Sequence, residues 1–81
     1  MYITVLTPDK QIFQGSITSV KVPGTSGRFQ VLRNHAPIVA SLGVGDVNIR
    51  KEDGAEMTFH IQKGFIEVLN NQISLLVQGV V

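Results

Sequence analysis

The chain offers few groups able to do chemistry. His35 and His60 are its only histidines, and cysteine is absent. No Asp or Glu residues gather around either histidine at ligand spacing, so the sequence predicts no metal site. His60 lies between Thr58 and Gln62 in an alternating segment, which reads as a solvated strand face. His35, next to Ala36-Pro37, reads either as a turn histidine bonded to local backbone or as part of an interface. The serines at 16, 19, 26, 41 and 74 lack the Gly-x-Ser-x-Gly frame of a nucleophile elbow. Glu52-Asp53 is an adjacent acidic pair at a predicted hairpin tip, where exposure to water gives the two carboxylates no contrast of environment and denies them an acid–base division of labour. Gly24-Thr25-Ser26-Gly27 has the small residues of a phosphate cradle, but Arg28-Phe29-Gln30-Val31 continues as a strand where such a cradle needs Lys-Ser/Thr and a helix. Gly43-Val44-Gly45-Asp46 is a fragment of a dinucleotide fingerprint without its third glycine or its helix, and reads as a turn. The residues by themselves predict no active site and no cofactor.

The elements that would position these groups are strands. Met57, Phe59 and Ile61 alternate with Thr58, His60 and Gln62. Ile73, Leu75 and Val77 alternate with Ser74, Leu76 and Gln78; Ile66 and Val68 flank Glu67, Val20 and Val22 flank Lys21, and Val47 and Ile49 flank Asn48. A period of two rich in β-branched residues specifies half-buried strands. Eight glycines and three prolines interrupt the chain too often for helices of ordinary length. Asp53-Gly54 and Asn70-Asn71 carry two-residue hairpin chemistry, because Gly and Asn tolerate positive φ. Asn34-His35-Ala36-Pro37 reads as a turn before an apolar strand beginning at Ile38, since Pro37 lacks an N–H and biases Ala36 away from helix. The expectation is an all-β fold: an antiparallel β-sandwich or flattened barrel of short strands, as one domain over residues 1–81.

Size and charge exclude further classes. A chain of 81 residues buries roughly 60% of its unfolded surface, enough for one small core and too little for separate cofactor and substrate domains. The net charge of +1 is far from that of a nucleic-acid-binding domain, and the aromatics, 6% of the chain, supply no stacking platform. Residues 1–40 hold four basic side chains and one acidic, whereas residues 41–81 hold three and five; this mild asymmetry suits orientation of a docking event. No apolar run approaches the ~20 residues of a membrane span, and no leader pattern precedes Pro8. The expectation is a soluble, cytoplasmic chain. One alternative is a lipoyl- or biotinyl-type carrier domain, also all-β and of this length, with Lys51 near the hairpin tip as the modified lysine. The sequence lacks the Asp-Lys-Ala or Met-Lys-Met motif and the quasi-symmetric halves of such domains.

The stretch Gly27-Arg28-Phe29-Gln30-Val31-Leu32-Arg33-Asn34-His35-Ala36-Pro37 resembles the signature of the epsilon-subunit family of F-type ATP synthases. The similarity extends in order through Thr7-Pro8, Phe13-Gln14-Gly15 (which resembles part of an N-terminal hairpin), Ser19–Gly24, Leu42-Gly43-Val44-Gly45 and Gly64-Phe65-Ile66-Glu67-Val68 with Val77. The resemblance implies a β-sandwich of about ten strands that catalyses nothing and passes torque between two partners. It implies a surface for the gamma subunit at Leu32, His35, Ala36 and Pro37, and a c-ring contact at Gly24, Thr25, Ser26, Gly27 and Arg28. It also implies a peripheral position on the cytoplasmic side of the bacterial inner membrane within the synthase. Arg28 and Arg33 stand where the family commonly has an acidic residue and a proline, and Gln30 where it has glycine. The helical hairpin into which the family commonly continues is not among these 81 residues, so neither ATP binding nor inhibition of hydrolysis is expected of them.

Overall fold

The computed structural model describes residues 1–81 as eight strands and no helix: β1 (Tyr2–Leu6), β2 (Gln11–Gly24), β3 (Gly27–Leu32), β4 (Ile38–Leu42), β5 (Gly45–Lys51), β6 (Glu56–Ile61), β7 (Lys63–Leu69) and β8 (Gln72–Gln78). The all-β class is as expected, but there are eight strands where the resemblance implied about ten. The difference lies partly in β2, whose 14 residues run from the N-terminal hairpin through Ser19–Gly24 without a break. Phe13-Gln14-Gly15 belongs to the hairpin that β2 makes with β1, where Gly15 pairs with Ile3, and its missing side chain leaves room for the Phe13 ring, whose Cζ would stand 3.1 Å from a Cβ there.

Hydrogen bonds order the strands β1-β8-β7-β4-β2-β5-β6, with β3 added to β2 and a further pairing of β1 with β2. The N-terminal part of β2 pairs with β1, from Tyr2–Ser16 to Leu6–Gln11. Its C-terminal part carries β3 on one side and β5 on the other, so that Val20 faces both Val31 and Ile49. One long strand thus joins the two layers. The pairings are antiparallel with one exception: β1 runs parallel to β8, from Tyr2–Gln72 to Leu6–Leu76. Parallel neighbours need a long connection, and here most of the chain provides it.

All eight strands contribute to a core of sixteen buried hydrophobic residues, and no polar or charged side chain is buried with them. The inward phase is the one alternation specifies: Val20 and Val22, Val47 and Ile49, Phe59 and Ile61, Ile66 and Val68, and Ile73, Leu75 and Val77 are all buried. The turns follow their residues less uniformly. Asn70 and Asn71 adopt φ of 51° and 62° between β7 and β8, the double positive φ that a two-residue hairpin of this kind requires. Asp53-Gly54 does not form a two-residue turn. Glu52 to Ala55 separate β5 from β6, the Lys51 amide donates to the Ala55 carbonyl (2.8 Å), and the Ala55 amide donates to Asp53 Oδ1 (2.9 Å). The Asp side chain caps the longer loop, and Gly54 supplies its positive φ of 91°.

Candidate functional site

The two groups of residues singled out by the resemblance lie at opposite ends of β3, about 17 Å apart along an extended strand. At one end Thr25-Ser26 forms the tip of the β2–β3 hairpin, closed by the Gly24–Gly27 pair. The closure is tight. A Cβ on Gly24 would stand 2.6 Å from the Gly27 carbonyl oxygen and 2.9 Å from the Phe29 ring. The hairpin is anchored to β4 by the Thr25 amide, which donates to the Ser41 carbonyl (3.1 Å), and by a bond between the two hydroxyls (3.2 Å).

Arg28 leaves this hairpin along the outer face of the sheet. Its Nη1 donates to the Asp46 carbonyl (2.6 Å) and its Nη2 to Asn48 Oδ1. Asn48 Nδ2 donates onward to Thr58 Oγ1 (2.9 Å), and His60 Nδ1 pairs with Asp46 Oδ1 (2.8 Å). The result is a polar network from β3 to β6. Both terminal nitrogens of Arg28 therefore have partners within the chain, and an outward bidentate contact would have to replace them. His60 is on the solvated outer face, its side chain 43% exposed.

At the other end, Asn34 takes a left-handed φ of 65°, and the His35 amide donates to the Leu32 carbonyl (3.1 Å). The turn is clamped by an asparagine 37 residues away: the Asn34 amide donates to Asn71 Oδ1 (2.7 Å) and Asn71 Nδ2 to Asn34 Oδ1 (3.2 Å). His35 Nδ1 donates to the Ala36 carbonyl (2.7 Å), which leaves Nε2 as the free ring nitrogen. The local-backbone reading of His35 thus describes its own contacts, while Leu32, Ala36 and Pro37 around it are exposed.

Lys51 is not displayed at the hairpin tip as a carrier lysine would be. It is half-buried, with Nζ 4.8 Å from the centre of the Phe13 ring, a distance at which the ammonium is held by the ring face. No three His, Cys, Asp or Glu side chains converge anywhere. No helix is long and apolar enough to cross a membrane.

One feature was not anticipated from the residues. Leu6, Leu76 and Phe65 stand opposite one another across β1, β8 and β7 on the outer face, flanking a depression of about 430 Å³. The available signal was Leu76, a large apolar residue in the outward phase of its strand.

Comparison with known proteins places these observations. The sequence model of the ATP synthase delta/epsilon chain β-sandwich domain matches residues 1–81. The ATP synthase epsilon chain of Chlorobaculum tepidum is 45% identical over 78 residues, spanning 96% of this chain and 89% of the relative, and that of Chlorobium limicola is 41% identical over the same shares. The epsilon chain of Leptospira borgpetersenii is 42% identical, but the match spans only 58% of its length. In a structure of the Euglena gracilis mitochondrial ATP synthase with its c-ring, one chain superposes with a TM-score of 0.89 at 22% identity, over 98% of this chain and 51% of that one; the likeness extends the fold beyond recognisable sequence. Matched along its whole length, the chain belongs to the ATP synthase delta/epsilon β-sandwich family.

Proposed function

We propose that the chain is a non-catalytic rotor subunit of a proton-translocating ATP synthase, joining the gamma subunit to the c-ring on the cytoplasmic side of the bacterial inner membrane. The observation that carries this reading is the family match over residues 1–81, and the geometry suits it. The two candidate surfaces sit at the ends of one strand whose partner, β2, is common to both layers. A load applied at one end therefore meets a continuous hydrogen-bonded sheet before it reaches the other. In this reading Leu32, His35, Ala36 and Pro37 face gamma, and Gly24, Thr25, Ser26, Gly27 and Arg28 face the ring. The carrier alternative gains nothing from the position of Lys51.

The direct test is reconstitution of the purified chain with gamma and with c-ring, followed by proton-coupled ATP synthesis in vesicles. Failure to bind gamma overturns the proposal. Two substitutions divide the surfaces. Exchanging His35 for alanine removes a ring packed at the turn and is expected to weaken gamma binding about tenfold, or ~1.4 kcal/mol, with ring association unchanged; unaltered gamma affinity in a folded variant removes His35 from the surface. Arg28→Glu places a carboxylate against the Asp46 carbonyl and abolishes both guanidinium bonds. It is expected to reduce ring association and coupled synthesis while gamma still binds. Arg28→Gln, which retains a donor, is the control, and equal coupling in all three proteins reduces Arg28 to an internal strut.

A further inference from the structure

β3 has an open edge. Gly24 and Gly27 close the hairpin, so alternate pairs from there, Val22–Phe29 and Val20–Val31, exchange amide and carbonyl bonds with β2. Pro23, which has no N–H, falls opposite Arg28 at a position that needs none, and its carbonyl accepts from Gly43 on the far side (2.8 Å). The backbone groups of Arg28, Gln30 and Leu32 therefore point away from β2. β3 has no second neighbour, and only the Leu32 carbonyl finds a partner, the His35 amide. A cleft of about 570 Å³ separates this hairpin from β4, with half-buried Phe29, Ile38 and Ala40 packed on the core beside it.

Natural proteins usually blunt such an edge or use it. Two observations say what fits here. Side chains of an added strand alternate, so every second one would face the apolar side of the cleft at Phe29. Arg33, just beyond the strand end, is exposed and makes no ion pair. A second copy of β3 is disfavoured, because antiparallel pairing brings Arg28 of one copy near Arg33 of the other.

We infer that the open edge of β3 is a strand-addition site for an extended segment of the rotor partner, apolar at alternate positions and bearing a carboxylate beside Arg33. The inference rests on the rotor reading above and specifies how that partner is held. Amide hydrogen exchange followed by NMR tests it on the chain alone and on its complex with the gamma subunit. In the free chain Phe29 and Val31 exchange slowly and Arg28, Gln30 and Leu32 rapidly; in the complex Gln30 and Leu32, at the gamma end of the strand, slow by on the order of 100-fold. Gln30→Pro deletes an amide that faces solvent in the free chain, a position where an edge strand tolerates proline. It is expected to weaken gamma binding at least ~10-fold with an unchanged β-sheet circular dichroism spectrum, and Arg33→Glu to weaken it in a salt-dependent way. If gamma binds while Gln30 and Leu32 still exchange rapidly, strand addition is overturned and the rotor reading stands. If gamma does not bind at all, both fall. Slow exchange at these positions in the chain alone, lost on dilution to monomer, would assign the edge to self-pairing and also overturn the inference.

Discussion

Replacing Ile66 by alanine is expected to remove ~2–5 kcal/mol of folding stability. Ile66 is fully buried in β7, between Ala40 of β4 and Leu75 of β8. Strands hydrogen-bonded on both sides cannot slide inward to fill the space left by the missing atoms, so the loss includes a cavity as well as a transfer contribution. A domain of this size has ~4–12 kcal/mol in total, and the substitution therefore takes a large share of it. Urea unfolding should show a lower midpoint with little change in slope. A loss below ~1 kcal/mol would mean that the sheet relaxes around this position and that the core is less tightly specified than its burial indicates.

The second large effect is expected at Gly24. A valine there carries its Cβ to 2.6 Å from the Gly27 carbonyl oxygen and 2.9 Å from the Phe29 ring, and the backbone oxygen leaves no cheap escape. Overpacking of this kind costs ~1–3 kcal/mol. The strain falls on the hairpin that presents Thr25, Ser26 and Arg28, so ring association should fall more steeply than stability. Thr25→Ala at the tip deletes only an exposed hydroxyl bond to Ser41 and should leave the unfolding midpoint nearly unchanged. Equal midpoints for the Gly24 and Thr25 variants would show that the two strands can part at their closure without cost. Gly24 thus serves first to let two strands meet, whereas Gly27, with open space where its Cβ would lie, supplies a positive φ of 132°.

These positions also show how far residues alone describe such a chain. Ile73, Leu75 and Val77 announce their strand and its inward face, because alternation is a local property and one buried side fixes its phase. Asn70-Asn71 announces its turn for the same local reason. Partner choice is not local. Nothing near Gly15 distinguishes a turn glycine from one that accommodates Phe13, and nothing near Tyr2 says that its neighbour is Gln72. At the candidate surfaces, the signature turn is legible at Asn34–Pro37, but its clamp is not, since Asn71 is remote in sequence. Arg28 was legible as an unusual residue for its family position. Its bonds to Asp46 and Asn48 were not, because they cross over β2 to a strand whose register the residues do not specify.

The pairing of β1 with β8 has a consequence in time. Residues 2–6 find their parallel partners only in residues 72–76. At ~5–20 residues per second the ribosome makes the intervening stretch in roughly 4–14 s, far longer than the microseconds in which a hairpin forms. During that interval β1 can pair with β2 alone and its other edge stays bare. The seam between β1 and β8 therefore cannot close before β8 is made, and the nascent chain keeps a bare strand edge until then.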